Sequence, residues 1–188
     1  MHASAYNFAS TALEEAEVRG KTVIEAGSMD VNGTVRPAVE AHGPAGYTST
    51  DMRPGAGVDV ECLAEELPAR FGADCADVVI STEMLEHAAD WQAAMTGMTR
   101  VLKPGGLLVL TTRGPGFPLH GYPEDHWRFT VDAMSRIVKA LGLEVLRLEP
   151  DPEAPGVFVK ARKPDGWAEP DGLADALDAA GVIPMEQG

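Results

Sequence analysis

The sequence predicts a doubly wound α/β fold, an open seven-stranded, mostly parallel sheet with helices on both faces and a final antiparallel strand. Three observations predict it. Short runs rich in Val, Ile, Leu and Thr alternate with helical patterns, the order that a crossover-connected parallel sheet needs. The run Asp77 to Ser81 (DVVIS) is apolar without alternation, as in a strand buried on both faces. The last two runs are joined by Glu149 to Gly156, which leaves no room for a helix, so they pair antiparallel.

Each element has its own signal. Thr22 to Ala26 (TVIEA) is the first strand and ends at Gly27. Thr34 to Ala41 reads as a helix, with Pro37 in its first turn, where a missing N–H costs least. Tyr47 to Thr50 is the second strand and ends at Asp51. Val58 to Glu61 is a short third strand after the turn Pro54-Gly55-Ala56-Gly57, and Asp77 to Ser81 is the fourth. Trp91, Ala94, Met95, Met98 and Leu102 recur at three- and four-residue spacing, so Ala88 to Leu102 is an amphipathic helix. Lys103-Pro104-Gly105-Gly106 stops it, and Leu107 to Thr112 is the fifth strand. Arg113 to Phe129 has no clean period and is rich in Gly, Pro, His and aromatics. Thr130 N-caps a helix striped by Met134, Ile137, Val138 and Leu141, and Gly142 fits its C′ stop. Leu143 to Leu148 and Val157 to Ala161 complete the sheet.

A length of 188 residues suits one domain, read as residues 1–163, with an acidic C-terminal tail, 164–188, that carries one short helix near Leu173 to Ala180. Apolar residues at 45 % allow a packed core and exclude a disordered chain. The net charge of −14 is spread unevenly, because the tail holds six acids and no Lys or Arg. Without a basic cluster, neither a nucleic-acid footprint nor an anionic-membrane footprint forms. No apolar run approaches the roughly 18 residues of a membrane span. Met1 to Ser10 lacks the basic start and apolar stretch of a signal peptide. Cys62 and Cys75 make neither a disulfide framework nor a zinc set, so the expected location is a reducing cytoplasm. The expected partners are a small-molecule substrate and a second copy of the chain in a homodimer.

In such sheets ligands bind at the carboxyl ends of the strands, here the loops after strands one, two, four and five. A glycine turn at Gly27 lets backbone N–H groups approach a ligand closely. Asp51, 24 residues later, ends strand two, where a carboxylate can accept both hydroxyls of a ribose. Together they read as a nucleoside pocket. A nicotinamide dinucleotide wants G-x-G-x-x-G around its pyrophosphate. Here the glycines are Gly27 and Gly33, with Glu25 and Asp30 beside them, and acids repel a pyrophosphate but suit a cation. S-adenosylmethionine carries a sulfonium and an ammonium and no phosphate, so the residue chemistry leans toward it.

The segments VIEAGSMDVNGTVRP, YTSTDMRPGAGVDVE, LAEELP, DVVISTEMLEHAADW and VLKPGGLLVLTTRG resemble the successive motifs of class I S-adenosylmethionine-dependent methyltransferases. The flavour is that of the small type-11-like group, and the resemblance runs from about Val18 to Lys163. It implies the Rossmann-like methyltransferase fold, S-adenosylmethionine as cofactor and S-adenosylhomocysteine as product. It implies that Glu25, Gly27, Ser28 and Met29 line the methionine moiety, Glu25 favouring its ammonium. It implies that Asp51 holds the ribose hydroxyls and that Met52 packs on the adenine. Leu63 and Ala64 would supply an adenine contact. Leu63 stands where many relatives carry Asp, which leaves Glu65 or backbone groups to accept from the adenine amino group. Ser81 would lie under the cofactor, and Thr82 and Glu83 would face the transfer site. The pair Glu86-His87 reads as the structural entrance to the next helix.

The acceptor side rests on residues 113–130, which resemble an H-x-Y-P-x-D-x-W-R-F-T segment of methyltransferases from glycan and natural-product clusters. Tyr122 and Trp127, with Phe129, would stack on a ring, and Arg128 would fix an anion or a hydroxyl-rich face. An alcohol acceptor benefits from a base, and His126 ahead of His120 is the candidate, with Asp125 as partner. The spacing of His120, Asp125 and His126 fits no strong metal template, so no metal is assigned. The expected activity is methyl transfer to a small molecule, at a sugar-like or natural-product hydroxyl. N- or carboxyl methylation, or a non-catalytic cofactor-binding partner subunit, stand as alternatives.

Overall fold

The computed structural model describes residues 1–121 and 124–185. In chain order it runs α1 (Ala3–Thr11), α2 (Glu15–Val18), β1 (Thr22–Ala26), α3 (Arg36–Glu40), β2 (Gly46–Asp51), β3 (Val60–Glu61), α4 (Leu67–Phe71) and β4 (Ala76–Thr82). It continues with α5 (Trp91–Val101), β5 (Leu102–Arg113), β6 (Trp127–Arg128), α6 (Val131–Ala140), β7 (Glu144–Pro150), β8 (Gly156–Arg162), α7 (Leu173–Asp178) and β9 (Ile183–Pro184). Short 3₁₀ turns occupy Ala64–Glu66 and Leu85–His87.

Seven strands form one sheet in the order β3-β2-β1-β4-β5-β8-β7. The pairs from β3 through β5 are parallel, and β8 runs antiparallel to both β5 and β7. All seven expected strands are present, and the final antiparallel strand inserts between β5 and β7. Neighbouring side chains along each strand fall into opposite cores. Ile24, Val79, Leu108 and Leu110 pack with Trp91, Met95 and Met98 of α5 and Ile137 and Val138 of α6. Val23, Val78, Ile80 and Val109 pack with Ala5, Phe8 and Ala9 of α1 and Val39 of α3. Helices on both faces make the sheet doubly wound.

Helix α6 starts where the Thr130 signal places it, and α5 starts at Trp91, three residues after the expected Ala88. Asp90 caps α5 by accepting from Ala93 N at 2.9 Å. Thr130 caps α6 by accepting from Ala133 N at 3.0 Å. Strand β5 begins five residues before the expected Leu107, because Leu102 pairs with Ala76 and the Lys103–Gly106 stretch bulges before the register resumes at Val78 and Leu107. Gly106 is required in that bulge, since a Cβ there would lie 2.8 Å from Lys103 O.

The acidic segment expected as a tail is docked on the body. Trp167 donates its indole N–H to Leu141 O at 2.7 Å, and Arg100 grips the Glu169 carboxylate with two bonds of 2.7 and 2.8 Å. Leu177 and Ala180 are buried, and β9 pairs antiparallel with β6. The helix expected near Leu173 to Ala180 is α7.

Candidate active site

The carboxyl ends of β1 to β4 and the loop after β5 surround one cavity of about 450 Å³. Its wall begins at Gly27, where the chain leaves β1 at φ +76°. A Cβ on Gly27 would lie 2.2 Å from Met84 Cγ, so only glycine lets the loops after β1 and β4 close on each other. The N–H groups of Gly27 and Ser28 both donate to Thr50 O, at 2.8 and 3.0 Å. The glycine turn therefore serves close packing, and these two N–H groups are spent within the fold rather than turned toward a ligand.

Two carboxylates flank that turn. Glu25 is 2 % exposed, lines the cavity and accepts from Tyr47 OH at 2.7 Å. Burial pushes its carboxyl up to about 7, against the Tyr47 hydrogen bond and the Arg36 charge. Asp51, at the end of β2, accepts from Met29 N at 3.1 Å and from Arg53 N at 3.4 Å. These two contacts leave half of its roughly four acceptor positions for a ligand. Ser28, Met29, Met52, Leu63, Ala64, Thr82 and Glu83 complete the expected set that lines the cavity. Ser81 is fully buried and does not line it.

Glu83 turns the chain out of β4 at φ +57°, a left-handed conformation that costs a non-glycine residue roughly 1 kcal/mol or more. Its carboxylate is held there by Thr111 Oγ1 at 3.1 Å and by an ion pair with Arg113. Arg113, itself fully buried, reaches Asp151 at 2.9 Å, and Asp151 also accepts from Ser4 at 2.9 Å. Its guanidinium lies over the Phe117 ring at 4.5 Å, and Phe117 packs edge-on against His120 at 4.9 Å. One buried chain of charges thus ties α1, β5 and the β7–β8 turn to the cavity rim.

From the loop after β5, His120 and His126 both line the cavity. The Asp125 carboxylate partners His120, whose Nδ1 it meets at 3.0 Å, while His126 Nε2 lies 3.1 Å from Glu124 Oε2. Asp125, Trp127 and Arg128, expected to touch the acceptor, do not line the cavity. Arg128 is 1 % exposed, pairs with Asp125 and donates to the carbonyls of Phe117 and Pro118. Trp127 donates its N–H to Ala88 O at 2.8 Å. These groups are used up holding the loop in shape. Tyr122 lies outside the described residues. Asn32, Cys62, Met84 and His87 line the cavity without having been singled out as site residues, and Glu65, named as an alternative adenine acceptor, lines it too.

Comparison with known proteins agrees with this geometry. The fold matches 1,6-didemethyltoxoflavin-N1-methyltransferase of Burkholderia thailandensis, solved with 1,6-didemethyltoxoflavin and S-adenosylhomocysteine, at TM-score 0.69 and 18 % identity over 86 % of this chain and 79 % of that one. It matches an S-adenosylmethionine-dependent methyltransferase from Mesorhizobium loti at TM-score 0.66 and 17 % identity over 86 % of this chain and 98 % of that one. Residues 29–110 match the type-11 family model described as a methyltransferase domain. The matched stretch, a little under half of the chain, carries a methyltransferase domain of the type-11 group, on the fold shared with these S-adenosylmethionine-dependent methyltransferases.

The chain is 32 % identical over 117 residues to the ubiquinone biosynthesis O-methyltransferase of Pseudomonas paraeruginosa, across 53 % of its own length and 47 % of that protein. It spans about half the length of that relative. The neighbour from Burkholderia thailandensis holds S-adenosylhomocysteine, and the cavity residues of this chain fit S-adenosylmethionine as cofactor. Glu25, Asp51, Glu65, Glu83 and Glu124 face the cavity, against one arginine, Arg53, among its described lining. That charge balance suits a sulfonium and ammonium and opposes a phosphate. Among the described residues no helix is long and apolar enough to cross a membrane.

Proposed function

We propose that this methyltransferase moves the methyl group of S-adenosylmethionine to a hydroxyl of a small, sugar-like or natural-product acceptor. One observation carries the reading: two histidines of the 113–130 loop line the same acidic, nucleoside-sized cavity as Glu25 and Asp51. The cofactor supplies an activated methyl when bound. The chain's own part is to bind, align and keep water out. Glu25 accepts from the ammonium, Asp51 takes the ribose hydroxyls with its remaining acceptor positions, and Met52, Leu63 and Ala64 form the apolar wall for the adenine. Gly27, Ser28 and Met29 shape the turn around the methionine moiety, and Ser81 supports the floor. Thr82 and Glu83 border the transfer position. His126 and His120 are the groups that take the acceptor proton. Asp125, Trp127 and Arg128 act on the acceptor indirectly, by fixing the loop.

Calorimetric titration with S-adenosylhomocysteine, followed by transfer of labelled methyl to a panel of hydroxylated acceptors, tests this. One equivalent is expected to bind, and Asp51→Ala is expected to weaken binding at least tenfold. His126→Ala is expected to lower kcat by about 10²-fold, the low end of what a positioned base contributes. Binding without transfer to any hydroxyl, combined with transfer to amines or carboxylates, would overturn the choice of oxygen.

A further inference from the structure

Glu86 sits in the 3₁₀ turn after β4, and its side chain is fully buried. Oε2 accepts from Thr112 Oγ1 at 2.8 Å, and Oε1 has no hydrogen-bond partner. A buried carboxylate oxygen left bare is costly, so its surroundings matter. The Nε2 atoms of His87 and His120 each lie 3.9 Å from it. All three donor atoms lie within 4.8 Å of one another, the one such group of His, Cys, Asp or Glu side chains among the described residues.

Both imidazoles use Nδ1 elsewhere. His87 Nδ1 bonds the carbonyl of Glu124, and His120 Nδ1 bonds the Asp125 carboxylate. Each partner only accepts, so each Nδ1 carries the hydrogen and, in the neutral ring, each Nε2 presents a lone pair. Two nitrogen lone pairs and a carboxylate oxygen thus converge with no donor between them. Imidazoles oriented by acceptors on their far nitrogens are what metal sites use.

We propose that Glu86, His87 and His120 bind a divalent transition-metal ion on the cavity wall. Two imidazoles and one carboxylate match Zn²⁺, Co²⁺, Fe²⁺ or Mn²⁺ better than the all-oxygen preference of Mg²⁺ or Ca²⁺. Bonds of about 2.0–2.2 Å bring such donors to roughly 3.4 Å apart, so an ion draws these three together by about 1 Å. His120 can supply that movement, because its side chain is 38 % exposed on the loop after β5. Three protein ligands leave open positions, and those face the cavity that His87 and His120 line. An acceptor hydroxyl bound there would be more acidic, leaving His126 as the histidine free to take its proton. That extension rests on the methyl-transfer reading; the metal site does not.

The test is metal binding by the full chain, stripped with chelator and titrated with Co²⁺ and then Zn²⁺ in the absence of cofactor. One equivalent of Co²⁺ is expected, with the visible absorption of a nitrogen–oxygen site, displaced by Zn²⁺. His120→Ala and His87→Ala are each expected to weaken binding more than tenfold, and His42→Ala, outside the cavity lining, to leave it unchanged. Glu86→Gln is expected to do the same as the histidine variants. If that buried substitution unfolds the chain, the half-exposed His120 position still decides the question. No stoichiometric ion on the wild type, or binding that survives both histidine substitutions, would overturn the site. So would a carboxylic-acid infrared band that Zn²⁺ leaves in place and Glu86→Gln removes, because a proton would then fill the gap. Methyl transfer is not part of the readout, so its failure and the failure of this site are distinguishable.

Discussion

Glu25 carries two opposed demands on one carboxyl group. Burial at 2 % exposure raises its pKa to about 7, above the usual carboxylate value of 4.5, while Tyr47 and Arg36 favour the ionised form and Asp59 and Asp30 oppose it. A carboxyl whose folded pKa lies above its unfolded one contributes its full stability below about pH 4.5 and loses it as pH rises through about 7. The free protein therefore gives up on the order of 3 kcal/mol at this site between those values. A cationic ligand reverses the balance, because only the ionised form attracts it. Affinity for S-adenosylhomocysteine, which keeps the ammonium, is expected to tighten by about tenfold from pH 6 to pH 8. Glu25→Gln is expected to flatten that profile, to weaken binding at pH 8 and to raise the melting temperature of the free protein at pH 8. Calorimetry and thermal melts at the two pH values check it, and a profile unchanged by Glu25→Gln would refute it.

At the scale of elements, α5 shapes the cavity wall at Ala64 and Glu65 through a glycine. Gly97 lies mid-helix, where helix propensity alone says that Ala should stabilise by about 1 kcal/mol. Packing says the opposite. A Cβ on Gly97 would lie 2.3 Å from Ala64 O and 2.9 Å from Glu65 Cα, and backbone atoms cannot step aside. Gly97→Ala is expected to destabilise by about 1–3 kcal/mol. It is also expected to weaken S-adenosylhomocysteine, because Ala64 and Glu65 line the cavity. A melt and a titration give the sign of each effect, and a stabilised variant with intact binding would show that propensity wins. The same contrast explains what the sequence revealed. Strands β1, β4 and β5 and the turns at Gly27 and Gly142 are written in local runs and breakers, and so are legible. Helix α1 has the spacing Ala5, Phe8, Ala9, Ala12, but its small side chains give a faint apolar stripe. The Glu83–Arg113–Asp151 chain joins residues 30 and 38 positions apart, and no local pattern announces such a pairing. The E-H pair after β4 was visible, but not that folding would leave one oxygen of Glu86 bare beside two imidazoles. Asp125, Trp127 and Arg128 looked like acceptor contacts by residue type, and only the fold shows Asp125 bound to Arg128 and His120, Arg128 to the loop's carbonyls and Trp127 to Ala88 O.

At the scale of the molecule, the sheet divides the site between two bodies of structure. The ends of β1 to β4 build one side of the cavity, the proposed nucleoside side, and the loop after β5 builds the other, the proposed acceptor side. The second is the less self-supporting, since it is held by side-chain bonds of Arg128 and Trp127 and by the two-residue strand β6. The acidic C-terminal segment reinforces it. Strand β9 pairs Ile183 with Arg128 and Pro184 with Trp127, and Met185 N donates to His126 O at 2.7 Å. Part of the chain's negative charge is thus carried by a segment that braces the histidine wall. Truncation after Ala180 keeps Leu177 and Ala180 in the core and removes this brace together with Val182, which packs at the edge of the core. Two or three lost hydrogen bonds, each worth about 1 kcal/mol, should lower the local opening free energy by about 1–3 kcal/mol. Hydrogen exchange across residues 124–130 is then expected to accelerate by roughly tenfold to a hundredfold, with S-adenosylhomocysteine affinity within about twofold of the full chain. The acceptor KM is expected to rise more than the cofactor KM. Equal protection of residues 124–130 in the two forms would mean that the loop stands by its own bonds, and that Arg128, rather than the C-terminal strand, sets the shape of the acceptor wall.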